Sequence, residues 1–100
     1  MTSTTTYLDH AATTPLLPAA RDAMAEGFAL WANPSSPHRQ GRAARAALED
    51  ARERIKVALG WEGELIFTSG ASEALAIGLT RCRLPLRAVS ATEHLSLIHI

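Results

Sequence analysis

The residues best suited to chemistry lie where a short apolar run meets a helix-forming segment, over residues 64–74, which read ELIFTSGASEA. This pattern predicts a strand that turns sharply into a helix. The first turn of a helix leaves backbone N–H groups without partners and carries partial positive charge. Because the side chains of Ser69, Ala71 and Ser72 are small, a phosphate or another anion could reach those donors.

An ordinary capped helix explains the same residues without any ligand. Ser72 would then be the N-cap, because a serine hydroxyl accepts hydrogen bonds from the first helical turn. Short Gly/Ser motifs often match by chance, so this segment alone favours the capped helix. The choice between the two interpretations depends on the rest of the chain.

The composition indicates a globular chain and argues against nucleic acid as a partner. Hydrophobic residues make up 47% of the 100 residues and charged residues 20%, as in folded domains. Ten basic and ten acidic residues balance, and no basic stripe with interleaved aromatic residues is present. Cys82 is the only cysteine, which excludes a disulfide framework and a thiolate zinc site within these residues. We therefore expect no metal site.

The start of the chain does not resemble a targeting segment. Residues 1–6 read MTSTTT and lack the basic and apolar regions of a signal peptide. No apolar run approaches the roughly 20 residues that are needed to span a bilayer. We expect a soluble, cytoplasmic protein without a membrane partner.

Two helices are predicted upstream of the turn. Pro18 suits the first turn of a helix, and apolar residues recur at helical spacing over residues 17–31, where they would form a buried face. A longer helix is predicted over residues 41–59, because alanine and other apolar residues follow one face and charged residues the other. Gly60 is a natural residue to end it.

The second half of the chain predicts strand, helix and strand in sequence. The strands are expected at residues 65–68 and 87–91, with the helix running through Leu79 between them, and residues 7–9 are a further very short strand-like element. This order predicts a parallel pair joined by a right-handed crossover. A parallel sheet is covered on both faces and needs more strands. We expect the start of an α/β fold that is incomplete here, mostly helical with one short parallel strand pair.

Four segments resemble, in order and approximate spacing, the amino-terminal part of a cysteine desulfurase of the class V aminotransferase family. They read YLDHAATTP at residues 7–15, NPSSPH at residues 33–38 with GR at residues 41–42, FTSGASE at residues 67–73, and TEH at residues 92–94. The resemblance implies the fold type I of transferases that use pyridoxal 5'-phosphate (PLP). It also implies that residues 1–94 are a truncated part of that domain and that the full-length protein is a homodimer.

The resemblance implies the site residues as well. Ala71 and Ser72 would bind the PLP phosphate through backbone N–H groups and the Ser72 hydroxyl, in agreement with the anion-binding interpretation of the turn. His94 would be both cofactor-binding and catalytic, stacking on the pyridine ring and transferring protons. An imidazole that follows a parallel strand would face the ligand crevice of an α/β fold, and it titrates near neutrality. We expect His10 to line the entrance and His38 to structure its loop.

The implied reaction converts L-cysteine to L-alanine and passes the sulfur, as an enzyme persulfide, to an acceptor protein such as one of iron–sulfur cluster assembly. PLP enzymes hold their cofactor on a lysine. The sole lysine, Lys56, lies on the charged face of the longer predicted helix, where we expect it to be solvated. Cys82 does not match the position of the sulfur-accepting cysteine. We therefore expect the 100-residue chain by itself to be inactive.

Two alternatives stay open at the level of sequence. One is another PLP enzyme of the same family, such as a selenocysteine lyase or a transaminase. Leu75 and Ala76 stand where members commonly carry Asp-Asn, which leaves the amino-acid substrate open. The other is a small, non-catalytic phosphate-binding module, which the length would suit.

The last six residues, 95–100, read LSLIHI, which is the translation of the mosaic-end adapter used in transposase-prepared sequencing libraries. We expect them to be a non-native tail and the native sequence to stop at about His94. Sequencing the genomic locus tests this expectation. Native reads that continue through codons for the same six residues would show that it is wrong.

Overall fold

The computed structural model describes residues 5–93, which form three α-helices joined by loops. Helix α1 spans Pro18–Ala29, α2 spans Arg39–Leu59 and α3 spans Ala71–Arg81. The chain divides into two compact units, Met1–Val57 and Ala58–Ile100. Among the described residues, none of the helices is long and apolar enough to cross a membrane.

The predicted strand pair is not formed in the described part of the chain. Residues 65–68 and 87–91 have irregular backbone, as do residues 7–9, and residues 5–93 contain no β-strand. A strand exists only through hydrogen bonds to a neighbouring strand, and a parallel sheet must also be covered on both faces. The two segments do not pair with each other here, so this part of the sequence-based prediction is corrected.

Helix α1 begins at a proline, as predicted. Leu17 precedes it in an extended conformation (φ −64°, ψ 141°) with no side-chain cap, and Pro18 occupies the first turn, where its missing N–H costs nothing. The apolar side chains of Met24, Phe28 and Trp31 are nevertheless exposed. A helix buries its apolar face only against another layer, so the predicted buried face lacks its cover in the described structure.

The predicted longer helix is confirmed as α2, which begins two residues earlier than expected. It ends at Gly60, whose φ of +61° lies in the left-handed region that glycine adopts without strain. Only Gly41 and Ala44 of this helix are buried, and Ala32 in the preceding loop is the third buried residue of the described chain. The tightest packing therefore lies at the start of α2.

The outer face of α2 carries ion pairs at helical spacing. Glu49 pairs with Arg45 (3.3 Å) and with Arg52, and Lys56 pairs with Glu53 (3.4 Å). The hydrogen bond from Arg52, followed by the charges of both arginines, lowers the pKa of Glu49. The Lys56 side chain is only 22% exposed, so it is half-buried beside Glu53 rather than fully solvated as predicted. Exposed pairs of this kind contribute little to stability, because the solvent screens their charges.

The start of α2 is joined to the loop before it by three contacts. His38 is the residue before the helix, and its Nδ1 accepts a hydrogen bond from the backbone N–H of Gly41 (3.1 Å). The Arg42 guanidinium donates to the carbonyl of Pro37 (2.5 Å). A Cβ atom built on Gly41 would lie 2.8 Å from the Cβ of Ser36 and closer still to its carbonyl oxygen. His38 thus structures its loop, as predicted, and a glycine is needed where the two segments touch.

We expect Gly41→Ala to destabilise a full-length protein that carries this sequence by about 1–3 kcal/mol, because the added methyl group meets backbone atoms that cannot move aside cheaply. The free energy of unfolding from denaturant titration measures this effect. Gly27→Ala is the matched control, since nothing lies within 4 Å of a Cβ at that helical position. The control should be neutral or stabilising by up to about 1 kcal/mol. Equal stabilities of the two variants would contradict the close packing.

Candidate functional site

The turn before α3 presents backbone donors in the way the sequence predicts. The first hydrogen bond of the helix runs from the N–H of Ala74 to the carbonyl of Gly70 (3.2 Å). The N–H groups of Ala71, Ser72 and Glu73 therefore precede the helical ladder. Gly70 is the N-cap, with extended backbone (φ 169°, ψ −179°) and no side-chain cap. The alternative in which Ser72 caps the helix is thus wrong, because Ser72 already lies inside the first turn.

A second feature of the turn is a pair of hydrogen bonds that we call the Ser69–Glu73 clamp. One carboxylate oxygen of Glu73, Oε2, accepts from the backbone N–H of Ser69 (2.7 Å) and from its hydroxyl (2.5 Å). A carboxylate in the first turn also interacts favourably with the positive end of the helix dipole. The Thr68 hydroxyl adds a hydrogen bond to the carbonyl of Gly70 (3.0 Å). Together these bonds fix the approach of the chain to α3.

The clamp favours the ionised form of Glu73. The hydrogen bond from the Ser69 hydroxyl, and then that from the Ser69 backbone N–H, lower the pKa of Glu73 from its usual value of 4.5. A lowered carboxyl pKa in the folded protein means that ionisation favours the folded state above the usual pKa. The clamp is therefore strongest at neutral pH, where Glu73 is ionised, and it weakens as the pH falls below 4.5 through the lowered pKa.

The first turn is open to a ligand. Ser69, Gly70, Ala71 and Ser72 are all exposed, and a Cβ built on Gly70 would have nothing within 4 Å. Small side chains and unsatisfied N–H groups at the positive end of a helix are what a phosphate needs. The residues present therefore fit the phosphate group of PLP, with two backbone N–H groups and the Ser72 hydroxyl as donors.

The segment that leads to His94 lies in the same compact unit as the turn, although His94 itself is outside the described residues. Arg87 donates to the carbonyl of Leu79 near the end of α3 (2.6 Å), a position where a cation also complements the helix dipole. The Ser90 hydroxyl accepts from the Thr92 N–H (3.2 Å), which bends the chain just before His94.

A groove of about 340 Å³ lies between α3 and this segment. It is lined by Ala74, Leu75, Gly78, Leu79, Ala88, Val89, Ser90 and Glu93. One wall belongs to α3, and the other is the segment that precedes His94. The assigned roles of Ala71, Ser72 and His94 remain predictions.

In the first unit, the loop at residues 7–15 is held by a tyrosine that sequence reasoning did not single out. The Tyr7 hydroxyl lies 2.8 Å from the carbonyl oxygen of Asp9 and 2.9 Å from that of Thr13. The Asp9 carbonyl also accepts from the N–H of Ala12 (3.1 Å), so Asp9 anchors the loop through its backbone rather than through its carboxylate. The ring of His10 meets the Tyr7 ring edge to face at 5.0 Å.

Other candidate groups are scattered. Cys82, a free thiol, is half-buried just after α3. Within residues 5–93, no three side chains of the metal-ligating types come together in a group that would hold a metal ion. The turn before α3 is therefore the part of the described structure with the clearest ligand chemistry.

The chain belongs to the class-V aminotransferase family, because the family described as Aminotransferase class-V matches residues 6–94. Members of this family are PLP-dependent enzymes. This membership confirms the resemblance inferred from the four segments and places the chain in the fold type I class.

The similar proteins of known function are mainly cysteine desulfurases. An IscS-like cysteine desulfurase of Mycobacterium tuberculosis is 52% identical over 69 residues, which is 68% of this chain and 18% of that protein. The cysteine desulfurase IscS of Dictyoglomus turgidum is 49% identical over 70 residues, with the same two shares. The human selenocysteine lyase is 41% identical over 70 residues, which is 68% of this chain and 16% of the lyase. The chain thus spans less than a fifth of the length of these relatives, and no solved structure matches it.

We expect Ser72→Ala to weaken PLP binding by the full-length protein, because it removes one charge-assisted hydrogen bond, worth about 1.5–3 kcal/mol. Titration of the apoprotein with PLP, followed by absorbance, measures the dissociation constant. Thr80→Ala is the matched control, since it removes a hydroxyl from the far end of the same helix, where that group bonds the carbonyl of Ala76. Affinity that is unchanged in Ser72→Ala would remove Ser72 from the site.

Proposed function

We propose that the full-length protein is a PLP-dependent cysteine desulfurase. In the proposed reaction L-cysteine and an enzyme thiol give L-alanine and an enzyme persulfide, so the sulfur atom moves and no external oxidant or reductant is needed. The observation that carries the proposal is the open first turn of α3 in a chain that is 52% identical, over 69 residues, to an IscS-like cysteine desulfurase. A test is the release of alanine from cysteine by the full-length protein, together with sulfide when a thiol reductant is added to reduce the persulfide.

The residues of this chain divide the work between binding and proton transfer. The N–H groups of Ala71 and Ser72 and the Ser72 hydroxyl hold the phosphate, which fixes the position of the cofactor. When bound, PLP supplies the electron sink on which the chemistry depends. His94 would contact the pyridine ring and would hold and transfer a proton on its imidazole, a group whose ordinary basicity suits proton transfer near pH 7.

The proposal extends to partners and compartment. The full-length protein acts as a homodimer in the cytoplasm and passes its persulfide sulfur to an acceptor protein, as in iron–sulfur cluster assembly. Residues 1–94 belong to the PLP-binding domain. Size-exclusion chromatography with light scattering tests the dimer, and a monomeric full-length enzyme would contradict it.

A selenocysteine lyase is the second candidate, because the human enzyme of that name is 41% identical to this chain over 70 residues. The identity to the desulfurases is higher, at 52% and 49%, which favours cysteine as the substrate. Rates of alanine formation from cysteine and from selenocysteine separate the two. A purely non-catalytic phosphate-binding module is disfavoured by membership of an enzyme family.

We expect His94→Ala to lower the turnover of the full-length enzyme by about 100- to 10,000-fold, the usual effect of removing a positioned proton-transfer group. The fold and most of the PLP should be retained, which circular dichroism and the cofactor absorbance check. Glu62→Gln, at an exposed position outside the turn and the groove, should keep most of the activity. Turnover at the wild-type rate in His94→Ala would leave that residue with no part in the chemistry.

We expect the 100-residue chain alone to release no sulfide from cysteine and to form no covalent bond with PLP. Its one lysine, Lys56, is half-buried in the last turn of α2 and paired with Glu53, and it belongs to a different compact unit from the turn before α3. The measurement is incubation with PLP, reduction with borohydride and a search for a pyridoxyl-lysine adduct by mass spectrometry. Stoichiometric labelling of Lys56 together with sulfide release would overturn this prediction and the assigned roles.

A further inference from the structure

The Glu73 carboxylate of the Ser69–Glu73 clamp is a negative charge in the first turn of α3. This is the same turn that we propose binds a phosphate. A carboxylate and a phosphate bound to the same helical turn repel each other, because both are negatively charged. The Glu73 carboxylate is therefore at first sight unfavourable for anion binding. Both hydrogen bonds of Glu73 nevertheless run to Ser69, at 2.7 and 2.5 Å, and none runs to the N–H groups of Ala71 or Ser72. The carboxylate therefore does not occupy the donors that a phosphate would use.

The clamp also uses both donors of Ser69. Its N–H and its hydroxyl are bound to the same oxygen of Glu73, so Ser69 is not available as a ligand for an anion. The clamp closes a loop around Gly70. A Cβ built on this residue would have nothing within 4 Å, and no side chain caps the helix there. The Gly70 carbonyl is held by the Thr68 hydroxyl (3.0 Å) and by the Ala74 N–H (3.2 Å). The clamp adds a restraint on the Ser69 side of Gly70, where the backbone of a glycine otherwise rotates easily.

We propose that Glu73 is a positioning residue, which holds the turn through Ser69 so that the N–H groups of Ala71 and Ser72 converge on the PLP phosphate. This inference rests on the proposed function. Glu73 acts through Ser69 and not on the phosphate directly. Ser69 holds the Glu73 carboxylate and does not bind the phosphate itself. The hydrogen-bonded form of the carboxylate is the one present at neutral pH.

Substitutions in the full-length protein distinguish the effect of the hydrogen bonds in the Ser69–Glu73 clamp from the effect of the Glu73 charge. Glu73→Ala removes both the clamp and the charge, whereas Glu73→Gln removes the charge and keeps an acceptor oxygen for Ser69. Ser69→Ala removes the hydroxyl from the other side of the clamp and serves as the second variant. Glu26→Ala, an exposed glutamate in α1, is the matched control. The dissociation constants of PLP and of pyridoxal, which lacks the phosphate, are measured for each apoprotein.

We expect Glu73→Ala and Ser69→Ala each to weaken PLP about three- to tenfold and to leave pyridoxal binding unchanged, since only the phosphate meets this turn. Glu73→Gln should stay within about threefold of the wild type. The double variant should be no weaker than Glu73→Ala, because both changes break one interaction. Tighter PLP binding in both Glu73 variants would show that the Glu73 charge, and not the clamp, governs phosphate binding. Equal losses of affinity for PLP and for pyridoxal would show a general structural defect. Either result overturns the proposal.

Hydrogen exchange of the apoprotein provides a readout that does not depend on the cofactor. The peptide that contains Ser69 should exchange faster in Glu73→Ala than in the wild type or in Glu26→Ala, since the Ser69 N–H loses its acceptor. Unchanged exchange would overturn the clamp itself. A wild-type protein that binds no PLP, with the exchange difference intact, would overturn the proposed function and with it the role of Glu73 towards a phosphate.

Discussion

The N–H groups at the start of a helix cannot be satisfied by the helix itself, and this constraint governs the site in the second unit. At α3 the chain does not fill those positions with a side-chain cap, and Gly70 precedes the helix with open space around it. The one acid in the first turn, Glu73, is held on Ser69 instead. The result is a helix start that keeps its dipole and its donors exposed, which is the property that a phosphate-binding turn requires.

The first unit is stabilised by a different principle, namely close approach of the backbone. Gly41 allows the start of α2 to touch Ser36, and His38 supplies the acceptor that the N–H of Gly41 would otherwise lack. The family match over residues 6–94 includes this loop and the turn before α3 alike. The loop before α2 is thus held rigidly against the start of its helix. The turn before α3 is also held by hydrogen bonds, but it leaves the first N–H donors of its helix exposed.

The apolar faces of the helices explain why so little of the described chain is buried. Phe28 and Trp31 are 77% and 78% exposed, although their spacing is that of a buried helix face. Burial needs a second layer, and the chain spans only 18% of the length of the desulfurases it resembles. The interactions that remain are local ones: ion pairs along α2, the clamp before α3 and the hydrogen bond from Arg87 to the end of α3.

The sequence by itself determined the helices, the end of α2 at Gly60 and the family, because helix signals and motif spacing are local in the chain. It located the donors of Ala71 and Ser72 but not the cap at Gly70 or the clamp, since Glu73, the third residue of the helix, bonds Ser69 rather than the N-cap residue that a usual capping box would bond. It predicted strands that residues 5–93 do not form, because a strand depends on partners that are remote in sequence. Which side chains are covered was likewise decided only by the tertiary structure.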